Sequence, residues 1–505
     1  MNKWDISGAL GGADPQFVEA AAPQKARELM GDEGIPKAEK KGLVRLIRNL
    51  FRTVAGSFRK HKFLRIAVPV LAVLALAVIL DGTFHIRSGL AMKAYALGQA
   101  EHPEKQNSEE YSRKVQEAKG SGIALSDFFT RSMAEILGGA ETEGNHANRL
   151  YSPINSYMAL AILAECTGGE SREEILQLLG ADSIESLRKQ ASDIYLANSL
   201  YSHEAKSVLS NSIWLSGALS YREDTVQTLA GTYYASSFRG EMGTSGYDKA
   251  LRSWIKEATD GLLPAQYVDG IHLEPDTVMA LVSTLNLNVK WDGFKKNDSR
   301  PGTFFASDGE RTVTYMKQVM EQGQYVLGSR FQATCVPMGG GMKMWLVLPN
   351  DGPDGLSPEE LLQDETYQSF LAALMQNKIS GRGELGDDLA WQKLEVHLTL
   401  PRFDITAEYD LKESFRKLGL VKTLSFDEAD FSGLTEIPSY LSRFKQASRL
   451  IADEEGIRGV SFTFADGRPQ ALMPNEVVLL FNRPFLFLLM SSDNVPLYAG
   501  IVNEP

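Results

Sequence analysis

Apolar positions along the chain fall into three regimes. Leu43, Ile47, Leu50, Val54 and Phe58 recur at helical spacing while Arg45, Arg48, Arg52 and Arg59 fall largely elsewhere, the pattern of a basic amphipathic helix. Residues 66–80 (IAVPVLAVLALAVIL) then run without a charge, and Phe63 and Leu64 lengthen the run if Arg65 snorkels. From about Ile123 onward helical and strand periods alternate. Ser152-Pro153 offers a capping hydroxyl before a proline at the first helical position, and Met158, Ile162 and Leu163 follow on one apolar face until Gly168-Gly169. Ser171 with Glu174 predicts a capping box for the next helix, which docks Ile175, Leu178 and Leu179 before Gly180 closes it. Strands are predicted at 343–349, at 394–400 in strict alternation, over 477–490 with a break at Asn482-Arg483-Pro484, and at 497–502. Helices first and mostly non-sequential strands later predict an α+β domain.

Charge decides how the apolar run is read. The 505 residues carry 52 Lys and Arg against 64 Asp and Glu, and a net charge of −12 argues against a generic nucleic-acid binder. Residues 37–65 nevertheless hold ten Lys or Arg against the single acid Glu39, immediately before the apolar run. Fifteen residues are short for a hydrocarbon layer of roughly 30 Å, so a buried helix and the apolar part of a signal peptide are alternatives. More than sixty residues precede the run, which counts against a cleaved signal, and bilayer thinning accommodates a short span. A single transmembrane helix is therefore expected. Residues 81–120 carry six basic and six acidic residues, so the positive-inside rule puts the N-terminus in the cytoplasm and the large C-terminal region outside. The expected order is a cytoplasmic tail (1–62) whose basic helix lies on the inner leaflet or on a partner protein, a membrane span (63–82), an extracytoplasmic stalk (83–120) and a folded domain (121–505).

Enzymatic chemistry finds little support. The chain has no Walker loop, dinucleotide glycine fingerprint, HExxH or G-x-S-x-G elbow, and its seven histidines are scattered. Gly339-Gly340-Gly341 precedes a strand rather than a helix and predicts a hairpin turn. Two cysteines, Cys166 and Cys335, exclude a disulfide scaffold and a four-thiolate zinc site, leaving two buried thiols or one bridge. No catalytic residue, cofactor or metal is expected. The informative segment is 453–475 (DEEGIRGVSFTFADGRPQALMPN), too long for an ordinary loop between strands. Its stretch 456–465 consists of β-formers and small residues, with Ile457, Gly459, Ser461, Thr463 and Ala465 on one face and Arg458, Val460, Phe462 and Phe464 on the other. The first face is small enough to lie beneath a sheet.

Several segments resemble the serpin family, in an order that covers roughly 123–505. Asp453-Glu454-Glu455-Gly456 is similar to the serpin hinge, 481–487 (FNRPFLF) to the strand after the reactive loop, and 498–505 (YAGIVNEP) to the C-terminal strand. Upstream, 148–180 resembles the helix after the Ser-Pro motif, 281–294 the central strand ending in Lys290-Trp291, and 401–434 also fits. The resemblance implies a serpin fold: a large mixed or antiparallel central sheet, surrounding helices and an exposed reactive loop. It implies a suicide inhibitor of a serine or cysteine protease, in which the cut loop inserts as a new strand and distorts the acyl-enzyme. By similarity the hinge is Glu454, Glu455, Gly456, Ile457, Arg458 and Gly459, and the reactive bond falls at Gln470-Ala471. Arg468 precedes Pro469, which disfavours trypsin-like enzymes, so a subtilisin-like or papain-like target is expected.

The chain departs from the family pattern in three respects. Ile457 and Arg458 stand where an inhibitory hinge favours Thr or Ser and then small residues. In the sheet-opening region, with Ser152 of the Ser-Pro motif, Ser283 and Gln446 replace the usual Asn and His, and Asn155 replaces a second Ser. A Ser283–Gln446 hydrogen bond is the nearest substitute for the family's pair. The alternative function is a non-inhibitory serpin-like binding or structural protein tethered at a cell surface, and the layout suggests a bacterial source.

Overall fold

β-branched and aromatic runs in alternation give sixteen strands among the described residues of the computed structural model, which are 94–98, 109–139, 147–202, 205–291, 293–352, 355–380, 388–441, 443–457 and 476–505. Contacts divide the chain into Met1–Thr83 and Phe84–Pro505, and every described residue belongs to the second unit. The apolar run at 66–80, the stretch before it expected to form a basic helix, and Arg458, Gly459, Gln470 and Ala471 lie outside the described residues. Among the described residues no helix is long and apolar enough to cross a membrane.

The strands are β1 (Ala94–Gly98), β2 (Arg149–Tyr151), β3 (Leu200–Tyr201), β4 (Ala205–Ser216), β5 (Ala235–Gly240), β6 (Met279–Val289), β7 (Arg300–Ala306) and β8 (Gly309–Gly328). There follow β9 (Phe331–Pro337), β10 (Lys343–Pro349), β11 (Leu389–Pro401), β12 (Phe403–Asp410), β13 (Lys445–Ala452), β14 (Glu476–Leu480), β15 (Phe485–Met490) and β16 (Pro496–Val502). One sheet runs β1-β5-β4-β3, with β6 also paired to β4; a second runs β14-β11-β8-β9-β10-β15-β16-β2, with β7 on β8; β12 and β13 form a separate antiparallel pair. The strands predicted at 343–349 and 497–502 and the break at 482–484 are present, and the alternating run at 394–400 belongs to a strand nearly twice as long. The three glycines form the turn between β9 and β10. There Gly340 has φ +66°, and a Cβ would stand 2.3 Å from Leu200 Cδ2.

Helices α1 (Glu109–Ala118), α2 (Ser126–Gly138), α3 (Pro153–Cys166), α4 (Gly169–Leu178), α5 (Ile184–Asn198), α6 (Glu223–Gly231) and α7 (Ser245–Ala258) surround the sheets. Every residue of α3 is buried, as suits a helix with apolar residues on all sides and few polar ones, and it packs on β4, β6 and β16. Its one charge, Glu165, takes two hydrogen bonds from Arg188 at 2.9 and 2.6 Å and a third from the Tyr233 hydroxyl at 3.1 Å. A second, smaller core of Trp214, Tyr247, Leu251, Ile255 and Val268 lies between α7 and the opposite face of the sheet.

Tertiary partners override two local cap signals. The Ser152 hydroxyl donates to the Leu497 carbonyl at 2.7 Å instead of capping α3. Because α4 opens at Gly169, Ser171 sits buried inside it, and its hydroxyl accepts from the Asp430 amide at 3.0 Å. Glu174 collects the amides of Val421, Lys422 and Thr423 at 3.1, 2.9 and 3.2 Å, a stronger use of a carboxylate than a local cap. Gly180, at φ +65°, does close α4. Residues expected as a stalk join the fold: β1 pairs antiparallel with β5, and α1 packs on α5. Cys166 and Cys335 are free and buried; burial pushes both thiols up, Cys335 to about 12, so neither is a ready nucleophile. Replacing fully buried Leu160 by Ala is expected to cost about 2–5 kcal/mol in urea unfolding, and a loss below ~1 kcal/mol would show that α3 is not the packed centre.

Candidate functional site

β6 and β13 bring their edges to one cleft without pairing with each other: among the described residues β6 forms a ladder with β4 and β13 with β12, and the facing edge of β6 takes one further rung at Val289. Leu285 and Leu287 of β6, Arg449, Leu450 and Ile451 of β13, and Tyr498 of β16 line this cleft, with Leu262 against it and Ile457 at the end where β6 stops. Unpaired strand edges invite a further strand, and proteins usually cover or charge them. Here the cover is the segment after α7: Thr259, Leu262 and Leu263 border the cleft, and Arg449 Nη1 donates to the Leu262 carbonyl at 3.2 Å. Tyr498 occupies one acceptor on the free edge, its hydroxyl donating to the Leu285 carbonyl at 3.0 Å. Burial pushes that phenol well above its ordinary pKa and keeps it a neutral donor.

At the end of β13 the chain reverses through Asp453–Gly456, whose terminal residues exchange backbone bonds of 3.2 and 3.1 Å. Gly456 has φ +122°, and a Cβ there would stand 2.4 Å from the Val289 carbonyl oxygen. Glu454 is buried; one of its oxygens accepts from Arg402 Nε at 3.0 Å, from Arg402 Nη2 at 2.6 Å and from the Ser299 hydroxyl. Burial alone would raise this carboxyl, but the hydrogen bonds from Arg402 and Ser299 outweigh it and hold the pKa below the usual value. Trp291 Nε1 donates to the Asp453 carbonyl at 2.8 Å, and Lys296 pairs with Glu455. Ile457 then forms an antiparallel rung with Val289, each amide donating to the other's carbonyl at 2.7 Å, and its side chain is 3% exposed.

The four residues expected to control sheet opening do converge beneath this cleft, but not as expected. Ser283 and Gln446 share no hydrogen bond. Gln446 instead accepts from the Ser152 amide at 2.7 Å and donates to the Ser152 carbonyl at 3.0 Å and the Ser156 hydroxyl at 3.3 Å. Ser283 donates to Asn211 at 2.8 Å and lies 3.4 Å from Asn155. Each side chain is held by other partners, Ser283 by Asn211 and Gln446 by Ser152 and Ser156 at the start of α3. Sequence reasoning also missed Tyr498, Arg402, Asn211, Ser156 and Arg449. Tyr498 and Arg402 stand inside segments that carry the family resemblance, but their partners are distant in the chain.

A family model described as Serpin (serine protease inhibitor) matches residues 127–505. The chain belongs to the serpin family. Among curated relatives, it is 26% identical over 387 residues to alpha-1-antiproteinase S of Cavia porcellus, a match spanning 75% of this chain and 89% of the relative. It is also 26% identical to plasminogen activator inhibitor 2 of Homo sapiens over 74% of this chain and 87% of that protein. The solved structure of tengpin, a thermophilic serpin, in its native state is similar at TM-score 0.64 and 21% identity, covering 81% of this chain and 97% of that one. A thyroxine-binding globulin complex with thyroxine is similar at TM-score 0.61 and 19% identity, over 77% and 99%. Serpins are inhibitors or binding proteins rather than catalysts, in keeping with the lack of enzyme motifs.

Two outcomes test the hinge. Gly456→Ala forces a side chain against the Val289 carbonyl and is expected to destabilise the native form by roughly 1–3 kcal/mol, read by thermal melting; an unchanged melt would show the turn is not constrained. The folded-state pKa of Glu454 is depressed, so its pairing with Arg402 contributes fully above about pH 4.5 and is lost as pH falls through the lower folded value. Protection of the Gly456 and Ile457 amides, the intrinsic exchange rate relative to the observed one, is therefore expected to fall below about pH 4.5, and Glu454→Gln should flatten that fall.

Proposed function

We propose that this serpin is a suicide inhibitor of a serine or cysteine protease, acting outside a membrane to which its N-terminal segment tethers it. The antiparallel rung between Ile457 and Val289 carries this reading, because it is the first step of adding the loop to the free edge of β6. Extending that rung sets Gly459 opposite Leu287, Ser461 opposite Leu285, Thr463 opposite Ser283 and Ala465 opposite Leu281. Val289, Leu287, Leu285 and Leu281 all pack into the main core, so the small face of the loop would be the buried one. Each backbone bond formed on either lip adds about 1 kcal/mol net, and a full strand turns this into a driving force no single contact supplies.

Cleavage at Gln470-Ala471 frees the loop to insert, with a subtilisin-like or papain-like enzyme as the target. Insertion has two local costs: Ser461 must displace the Tyr498 hydroxyl from the Leu285 carbonyl, and the segment held by Arg449 at Leu262 must move for Phe462 and Phe464. The tether rests on the ten basic residues that flank the apolar run on its N-terminal side, which favour a single-pass arrangement with the serpin domain outside. The second reading is a tethered binding protein that does not trap proteases. The two Phe side chains, Phe462 and Phe464, that must pass the covering segment favour it.

Incubating the full-length protein with a panel of serine and cysteine proteases separates the two. The inhibitor gives a covalent complex on denaturing gels, a cut at Gln470-Ala471 and a large rise in melting temperature of the cleaved chain. Clean cleavage with neither complex nor stabilisation leaves the binding protein. Tyr498→Phe leaves the buried Leu285 carbonyl without its partner, which destabilises the native form by about 1–3 kcal/mol. This change should increase the share of protease trapped per loop cleaved; an unchanged share would remove Tyr498 from the opening step.

A further inference from the structure

The outer face of the second sheet carries a group of side chains at its β14 edge that loop insertion does not use. β14 pairs in parallel with β11, which sets Glu395 directly opposite Glu476 and His397 opposite Val478. The two-residue period puts Glu395 and His397 on one face, and the edge strand brings Glu476 to them from the side. His397 Nε2 stands 2.8 Å from Glu395 Oε1 and 3.7 Å from Glu476 Oε2, and one ligand atom from each residue lies within 4.8 Å of the others. Like charges directly opposite on paired strands are unfavourable, yet among the described residues neither carboxylate meets a Lys or Arg; their ion-pair partner is His397. Two converging carboxylates and an imidazole, without a fixed cation between them, form the donor set of a divalent transition metal.

We propose that Glu395, His397 and Glu476 bind one divalent transition metal ion, with zinc the ion best suited to the donors. Zinc takes imidazole nitrogen and carboxylate oxygen at roughly 2.0–2.2 Å, which in tetrahedral geometry separates neighbouring ligand atoms by about 3.3–3.5 Å. The 3.7 Å separation is already close to that spacing, and the 2.8 Å hydrogen bond opens by about half an ångström as the metal replaces the bridging proton. The imidazole proton moves to Nδ1 or is released, freeing the Nε2 lone pair. Three protein ligands leave the fourth position to water, as the exposure of His397 (38%) and Glu476 (69%) permits. Glu476 is the first residue of the edge strand, so the ion ties that strand to β11 at the point where 458–475 rejoin the sheet.

Zinc titrated calorimetrically into the full-length protein tests this, with His397→Ala and Glu476→Gln alongside and hydrogen exchange followed over Glu476–Leu480. The expected result is a site of one ion per chain that weakens roughly tenfold or more in each variant, with zinc slowing β14 exchange in the parent only. Undiminished binding in both variants places the ion elsewhere on the chain and overturns the proposal, as does zinc-independent exchange of β14 or no binding by the parent. Melting curves recorded with a chelator check that the variants fold; where His397→Ala does not, His397→Gln takes its place.

Discussion

The free edge of β6, facing the free edge of β13 across an apolar cleft, is the constraint around which this molecule is arranged. Backbone amides and carbonyls left without partners inside a sheet cost free energy, and a chain that keeps two such edges must occupy them by other means. Tyr498 caps one carbonyl, the Ile457 rung takes another pair, and the segment after α7 lies against the cleft, held by Arg449. None of these is as complete as a strand. The arrangement is thus stable locally and still open to a better-paired state.

The turn at Asp453–Gly456 reconciles these demands by closing one end of the cleft. Gly456 permits a reversal that any side chain would block, and the buried Glu454–Arg402 pair fixes the turn against the start of β12 and the start of β7. Ile457 is delivered to Val289 with its side chain inward, so register is set before the loop proper begins. Bulk at Ile457, which looks unfavourable for insertion when read along the sequence, is accommodated because that side chain already packs in the core.

Legibility in the sequence followed the range of the interactions concerned. The strand at Lys343–Pro349, the glycine turn before it and the closing of α4 at Gly180 depend on period and backbone freedom, and were readable residue by residue. Ser152, Ser171 and Glu174 carry sound local signals, yet each is claimed by a partner far along the chain, because a buried or charged hydrogen bond outweighs a surface cap. Ser283 and Gln446 do not bond each other for a related reason: each is taken by a partner distant in the chain, Asn211 and Ser152, that no residue count reveals. Strand β1 is only five residues long and helix α1 is densely charged, so their place in the fold is recognisable only by what they pair with and pack on.

By itself the sequence determined the α+β class, the family and the alternation that makes one face of 457–465 small. These follow from periodicities of two and 3.6 and from ordered motifs, which survive without knowledge of neighbours. Only the tertiary structure decided that β6 and β13 stand unpaired, that Tyr498 and Arg449 guard the gap, and that Glu395, His397 and Glu476 meet at one edge. Such features depend on which segments become neighbours across hundreds of residues, and that choice is made by burial and sheet pairing over the whole domain rather than by any local pattern.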